Sequence, residues 1–128
     1  MRILLDTHIF LWLVSGDKQL SNNVHDAIVD PNNEVYLSVV SIWESIIKYD
    51  LGRLPLPDDP ATYIPKQRKL HLIETLPITE SSLERLTSLP KIHKDPFDRL
   101  LVSQALAENL MLATADSNIA KYGVKILN

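Results

Sequence analysis

The chain reads as a single α/β domain built on a central parallel sheet of about four or five strands, with helices on its faces. Three observations predict this. Short apolar runs ("RILLD", "EVYLS", "LIETLPI", "LMLAT" and "VKIL") recur along the 128 residues. Between them lie segments whose apolar residues follow a helical period. Alternation of this kind implies a parallel sheet covered on both sides. The length suits one domain over residues 1–128, with a real core and no room for two. No internal repeat, low-complexity segment or long linker interrupts it.

The first strand, "RILLD", is closed by Asp6. "THIFLWLV" follows as a short helix, apolar on most sides and therefore packed or at an interface. Ser21 is placed to cap a helix over "NNVHDAIVD", which stops near Pro31. The Asn32-Asn33 pair marks the turn into "EVYLS". The next helix carries Val39, Ile42, Trp43, Ile46, Ile47 and Leu51 on its period and ends at Gly52. After the loop "PLPDDP", Asp59-Pro60 signals a helix through about Leu70. "LIETLPI" is the third strand, and Thr79 caps "ESSLERLTSL".

"KDPFDRLLVSQALAENL" carries the helix-start signal again, now with two acids. Asp95 is the natural N-cap, Pro96 stands at N1 and Asp98 at N3, and the helix ends near Asn109. "LMLAT" is a buried strand, "ADSNIAKYG" a helical turn closing at Gly123, and "VKIL" the last strand. Capping needs only one carboxylate. The second asks for a partner elsewhere.

Composition narrows the classes. The residues are 45% hydrophobic and 23% charged, an ordinary globular mixture. The absence of cysteine excludes disulfides, zinc–thiolate sites and thiol nucleophiles, and suits a reducing compartment. The run from Ile9 to Val14 is too short to span a bilayer. Met1-Arg2 leads into it through Asp6, a poor signal peptide. The expectation is a cytoplasmic protein with no membrane segment. A net charge of −3 leaves room only for a local basic patch.

In open parallel sheets ligands gather at the carboxyl ends of the strands, so acids there are worth tracking. Asp6 ends the first strand and Asp116 follows "LMLAT". Glu44 lies one to two turns into the helix after "EVYLS", and Asp98 sits in the first turn of its helix. Four carboxylates thus converge on one rim. Unpaired, they repel and some pKa values rise. One or two hard divalent cations remove that penalty, and Mg²⁺ or Mn²⁺ prefers carboxylates and water. Such a site can activate water and clamp a phosphodiester without a dedicated histidine base.

Each residue also has a plainer reading. Asp95 serves as a cap, Asp98 complements the helix dipole, Glu44 is a solvated helix residue and Asp116 caps the following turn. Asp6 is hardest to dismiss, because a carboxylate directly after a buried strand needs a partner. His8, His25, His71 and His93 share no metal-binding spacing. His93 is placed to contact a phosphate beside the site, but reads first as a surface residue. Trp12 and Trp43 read as core. Thr7 and Thr114 are hydroxyls behind the acids or ordinary strand-end threonines.

"ILLDTH", "SVVSIWE", "KDPFDRLLVSQA" and "LATAD" occur in the order and spacing of PIN-domain ribonucleases. The chain most resembles the VapC-like toxins of bacterial toxin–antitoxin pairs over nearly its whole length. The resemblance implies a PIN-like fold and a metal site, catalytic and ligating, made of Asp6, Glu44, Asp98 and Asp116. Thr7, Thr114 and Asp95 would stand behind or beside it. It implies a Mg²⁺- or Mn²⁺-dependent endoribonuclease acting on RNA, dimeric, and neutralised by a VapB-like antitoxin. One departure is His8, where many relatives carry a small residue. Lys48, Arg53, Lys91, Lys94 and Arg99 flank the acids and are the local candidates for RNA contact.

A receiver-type signalling domain would want an adjacent acidic pair after the first strand and a lysine after a late one; "LLDTH" and "LMLATAD" offer neither. A haloacid-dehalogenase-type phosphatase would want an Asp where His8 stands. An inactive PIN module that only binds a partner is opposed by the presence of all four acids. Finally, "IFLWLV" and the Ile46–Leu51 face exceed what a small core needs, which predicts a two-fold homodimer.

Overall fold

Parallel pairing builds the centre of the molecule. The structure, a computed structural model, describes residues 1–128. Its strands are β1 (Arg2–Leu5), β2 (Glu34–Ser38), β3 (Glu74–Leu76), β4 (Met111–Ala113) and β5 (Ile126–Leu127), in the order β3-β2-β1-β4-β5. Every pair is parallel, with β1 central between β2 and β4. From β1 the chain progresses to β2 on one side, and from β4 to β5 on the other. The order therefore reverses between β1 and β4, the switch point where open α/β sheets bind ligands.

The strands are apolar on both sides because helices cover both. Ile3 and Leu5 of β1 face one cluster with Val35, Leu37 and Ala113, and Leu4 faces the other with Leu112. Helices α1 (Thr7–Ser15), α2 (Asn22–Val29) and α4 (Pro60–Leu70) close the first cluster with Ile9, Phe10, Val24, Ile28 and Ile64. Helix α6 (Pro96–Glu108) and a 3-10 turn over Ile119–Tyr122 close the second with Leu101, Val102, Ala105, Ile119 and Tyr122. Helix α5 (Glu80–Thr87) lies against α6.

Helix α3 (Val39–Asp50) begins directly from β2, where Ser38 accepts the Val40 N–H. The Ser38 hydroxyl donates to Gln104 Oε1 at 2.5 Å, and Gln104 Nε2 donates to the Pro77 carbonyl at 3.1 Å. This buried relay fastens the start of α3 to the middle of α6. Those two helices carry Glu44 and Asp98.

Ser21, Thr79 and Asp95 cap their helices as the sequence predicts. Other expectations need correction. Asp59 begins α4, but its side chain makes no capping bond. The strand expected over "LIETLPI" shrinks to three residues, because Leu72 takes a left-handed φ of 57° and Pro77 has no N–H for the ladder. Helix α3 stops at Asp50, and Gly52 makes the left-handed turn just beyond it. In "IFLWLV", Ile9 and Phe10 are buried and Leu11 to Val14 pack against the same cluster, so that segment is largely spent on the core. No helix is long and apolar enough to cross a membrane.

The central strands predict a measurable cost. Leu112 is fully buried between α6 and β5 residues. Leu112→Ala should destabilise the protein by about 3 kcal/mol in urea denaturation, within the range for cavity-forming core truncations. A loss below about 1 kcal/mol would mean that the second layer collapses around the gap.

Candidate active site

Parallel register at the switch point places the first two acids. Leu5 pairs with Ala113, so the residues after β1 and β4 leave the sheet side by side. Asp6 continues the ladder, its N–H donating to the Ala113 carbonyl at 2.9 Å, and it is also the N-cap of α1. Its Oδ1 accepts the Thr7 N–H at 2.7 Å and its Oδ2 accepts the Thr114 hydroxyl at 2.8 Å. The same Thr114 oxygen accepts the Asp116 N–H at 3.0 Å. One threonine thus sets the spacing of two acids.

Thr7 does comparable work for the third. Its hydroxyl lies 2.8 Å from Glu44 Oε1 and 2.8 Å from the Ser41 hydroxyl. Lys48, one turn further along α3, closes an ion pair with Glu44 Oε2. Glu44 is only 2% exposed, not a solvated helix residue. A carboxylate buried that deeply needs both partners.

Asp95 accepts the N–H groups of Phe97 and Asp98 at 2.8 and 3.3 Å, as a cap should. Asp98, in the first turn, projects into the pocket. Asp6, Glu44, Asp95, Asp98 and Asp116 all line one cavity of about 350 Å³, joined there by His8, Trp12, Lys48 and His93. The four acids singled out in the sequence are brought together. Thr7, Thr114 and Asp95 are in contact with them or beside them.

His93, which the sequence favours as a surface residue with a phosphate contact beside the site as the alternative, stands among the acids. Its side chain is 22% exposed, and its Nε2 lies 3.0 Å from Asp116 Oδ2 and 3.3 Å from Asp98 Oδ2. It stands two residues before the Asp95 cap, on the segment that enters the acid-bearing helix. That proximity was the available signal. Trp43, read as core, is 52% exposed and stacks edge-on against Phe97. Among the flanking cations, Arg53, Lys91 and Lys94 are exposed. Lys48 is held by Glu44, and Arg99 donates to the Pro90 carbonyl at 2.8 Å.

The electrostatics follow from crowding. Burial, with the charges of Asp6, Asp95 and Glu44, pushes the Asp98 carboxyl up to about 7 from an ordinary 3.8. Burial also raises Asp6, against the pull of the Thr114 hydrogen bond. The hydrogen bond to Asp116 raises His93. For Asp116, burial acts upward, but the Asn118 N–H and His93 outweigh it and hold the carboxyl below its usual range. Lys48 is drawn down by burial and lifted further by Glu44. A ring nitrogen of His93 and a carboxylate oxygen each from Asp98 and Asp116 lie within 4.8 Å of one another. Hard oxygen donors, close together and under-compensated, fit a divalent cation.

The molecule is thus of the α/β class that gathers carboxylates at the switch point of a parallel sheet. Within that class the chain belongs to the PIN domain family, whose model matches residues 3–125. Ribonuclease VapC16 of Mycobacterium tuberculosis is 38% identical over 48 residues, a stretch that takes in 38% of this chain and 34% of that protein. The fold is shared with VapBC2 from Rickettsia felis bound to a DNA fragment from its promoter. That likeness has a TM-score of 0.76 at 17% identity and covers 100% of this chain and 98% of the other. DNA-bound VapBC from Salmonella typhimurium gives 0.69 at 13% identity, covering 99% and 97%.

The raised carboxyls fix a sign. Asp98, Asp6 and His93 all bind protons more tightly folded than unfolded, so the stability they contribute is present at low pH and lost as pH rises. Thermal melts of the metal-free protein should fall between pH 5 and pH 8. Asp98→Asn should flatten part of that slope and melt higher than wild type at pH 8. A wild-type melting temperature that climbs across this window would contradict the crowding.

Proposed function

We propose that the protein is a Mg²⁺- or Mn²⁺-dependent endoribonuclease that cleaves RNA phosphodiester bonds, acting as the toxin of a toxin–antitoxin pair. The observation that carries this is the pocket itself: four acids from four separate elements, at the edge where a parallel sheet binds ligands. Membership of the PIN family and the ribonuclease name of the curated relative support the substrate.

A divalent cation held there supplies Lewis acidity toward water and toward a phosphate oxygen. The chain's own part is to hold and orient. Asp6, Asp98 and Asp116 present carboxylate oxygens, and Glu44 completes the set from a buried position braced by Thr7 and Lys48. Thr114 keeps Asp6 turned toward the pocket. Exposed Arg53 and Lys94 are the cations best placed for RNA phosphates. Lys48 and Arg99 reach RNA only by leaving partners inside the chain.

The partner is a VapB-like antitoxin. The solved relatives named as VapBC complexes support this, as does an apolar groove of about 440 Å³ beside the acids, lined by Leu11, Trp12, Val14, Leu54, Leu56 and Tyr63. A cytoplasmic setting agrees with the lack of cysteine. A homodimer agrees with the apolar residues left outside on α3 and just past it, Trp43 and Leu51 at 52% and 60% exposure. Light scattering of the isolated protein should then give twice the 14.5 kDa chain mass, and a monomer at all concentrations would end that reading.

Activity is tested by cleavage of a mixed RNA pool with Mg²⁺ or Mn²⁺. Asp6→Asn keeps the shape and one of the two accepted hydrogen bonds, but removes a charge from the cation site. The rate should fall on the order of a thousandfold, each 1.36 kcal/mol of lost transition-state stabilisation being tenfold. Asp98→Asn should behave alike, and Asp95→Asn should lose little because asparagine still caps. Full cleavage by Asp6→Asn, or by wild type in EDTA, would show that these acids do not run the reaction.

A further inference from the structure

The backbone N–H and both ring nitrogens of His93 are engaged, and the polarity of those bonds restricts what the ring can do. Its backbone N–H donates to the Tyr122 hydroxyl at 2.7 Å. The Asp95 N–H donates to Nδ1 at 3.2 Å, so in the neutral ring Nδ1 supplies the lone pair. In the neutral ring the proton is then on Nε2, the nitrogen facing Asp116 Oδ2 and Asp98 Oδ2. A metal-ligating histidine shows the reverse arrangement. It coordinates through one bare nitrogen and donates from the other to a carbonyl or carboxylate. Here a ligating Nε2 would put a proton on Nδ1, pointing at another N–H.

We propose that His93 is a positioning residue of the cation site: a hydrogen-bond donor to Asp116 whose Nε2 also lies 3.3 Å from Asp98 Oδ2, and not itself a ligand. The proposal rests on the reading that these carboxylates hold a divalent cation. The ring thus holds Asp116, which follows β4, and places its charge-sharing nitrogen against Asp98 on α6. Asp95 supplies both ends of the device. Its carboxylate starts the helix that carries Asp98, and its backbone N–H selects the tautomer that donates to Asp116. The segment is latched from behind as well, since Arg99 holds the Pro90 carbonyl and Tyr122 holds the His93 backbone.

Nitrogen-15 NMR of the histidine-labelled, metal-free protein at pH 8.5 reads the tautomer directly. The expected state has His93 protonated on Nε2 and bare on Nδ1, and keeps that proton when Mg²⁺ saturates the site. Calorimetric titration with Mn²⁺ separates donor from ligand. His93→Gln, which retains a donor at similar reach, should bind within about threefold of wild type. His93→Leu, folded by circular dichroism, should bind about tenfold more weakly, the low end of the effect of losing such a partner. An Nδ1–H tautomer, loss of the Nε2 proton on adding Mg²⁺, or a glutamine variant as weak as the leucine one would each overturn the proposal. Absence of Mn²⁺ binding by wild type would instead sink the cation reading on which it rests.

Discussion

Like-charge repulsion at the switch point is the constraint around which the rest of this structure is arranged. Four carboxylates and the Asp95 cap share one pocket, and two of them, Asp6 and Glu44, are buried. Burying a charge is costly unless it is paired and hydrogen-bonded. The surroundings answer acid by acid: Thr114 and the Thr7 N–H for Asp6, Lys48 and the Thr7 hydroxyl for Glu44, His93 for Asp98 and Asp116. Asp98 is compensated least, which is why its carboxyl moves furthest toward neutrality. Such under-compensation marks a functional site, where local rules of stability give way to chemistry.

The apolar sheet bears that cost. The charged residues that are buried are Asp6 and Glu44, so buried charge is confined to the carboxyl edge. The Ser38–Gln104–Pro77 relay crosses the second layer and is satisfied at each joint. It couples the placement of Glu44 to that of Asp98 through backbone rather than through the acids. The shared fold at 17% identity with the Rickettsia felis protein fits this division. A burial pattern can be met by many side chains, whereas the site cannot.

What could be read from sequence was local or periodic. The Ser21, Thr79 and Asp95 caps, the helical periods and the five apolar runs each lie within a few residues of their cause, and each appears in the fold. The convergence of Asp6, Glu44, Asp98 and Asp116 was legible too, because strand–helix alternation fixes which end of the sheet each reaches. His93 was legible only as a neighbour of the site. Its nearness to Asp98 is local, but the Asp116 carboxylate lies 23 residues on and the Tyr122 hydroxyl 29, with nothing periodic between them. The Lys48–Glu44 pair had the right spacing, yet a lysine beside an acid cluster also suggests phosphate, and spacing alone does not decide. Leu72 was invisible for another reason: leucine gives no warning of a left-handed φ.

The bond between Thr114 and Asp6 joins residues 108 positions apart. β1 is the middle of the sheet and the first strand made, yet one of its two neighbours, β4, is synthesised near the other end of the chain. Before β4 inserts, Asp6 faces no Asp116 and has no Thr114 hydroxyl to hold its carboxylate. Long sequence separations of this kind slow folding, because chain entropy is lost before the contact returns it. A growing polypeptide therefore carries the hydrophobic half of its architecture well before it carries a pocket, and competence for chemistry arrives as a late, all-at-once event of translation.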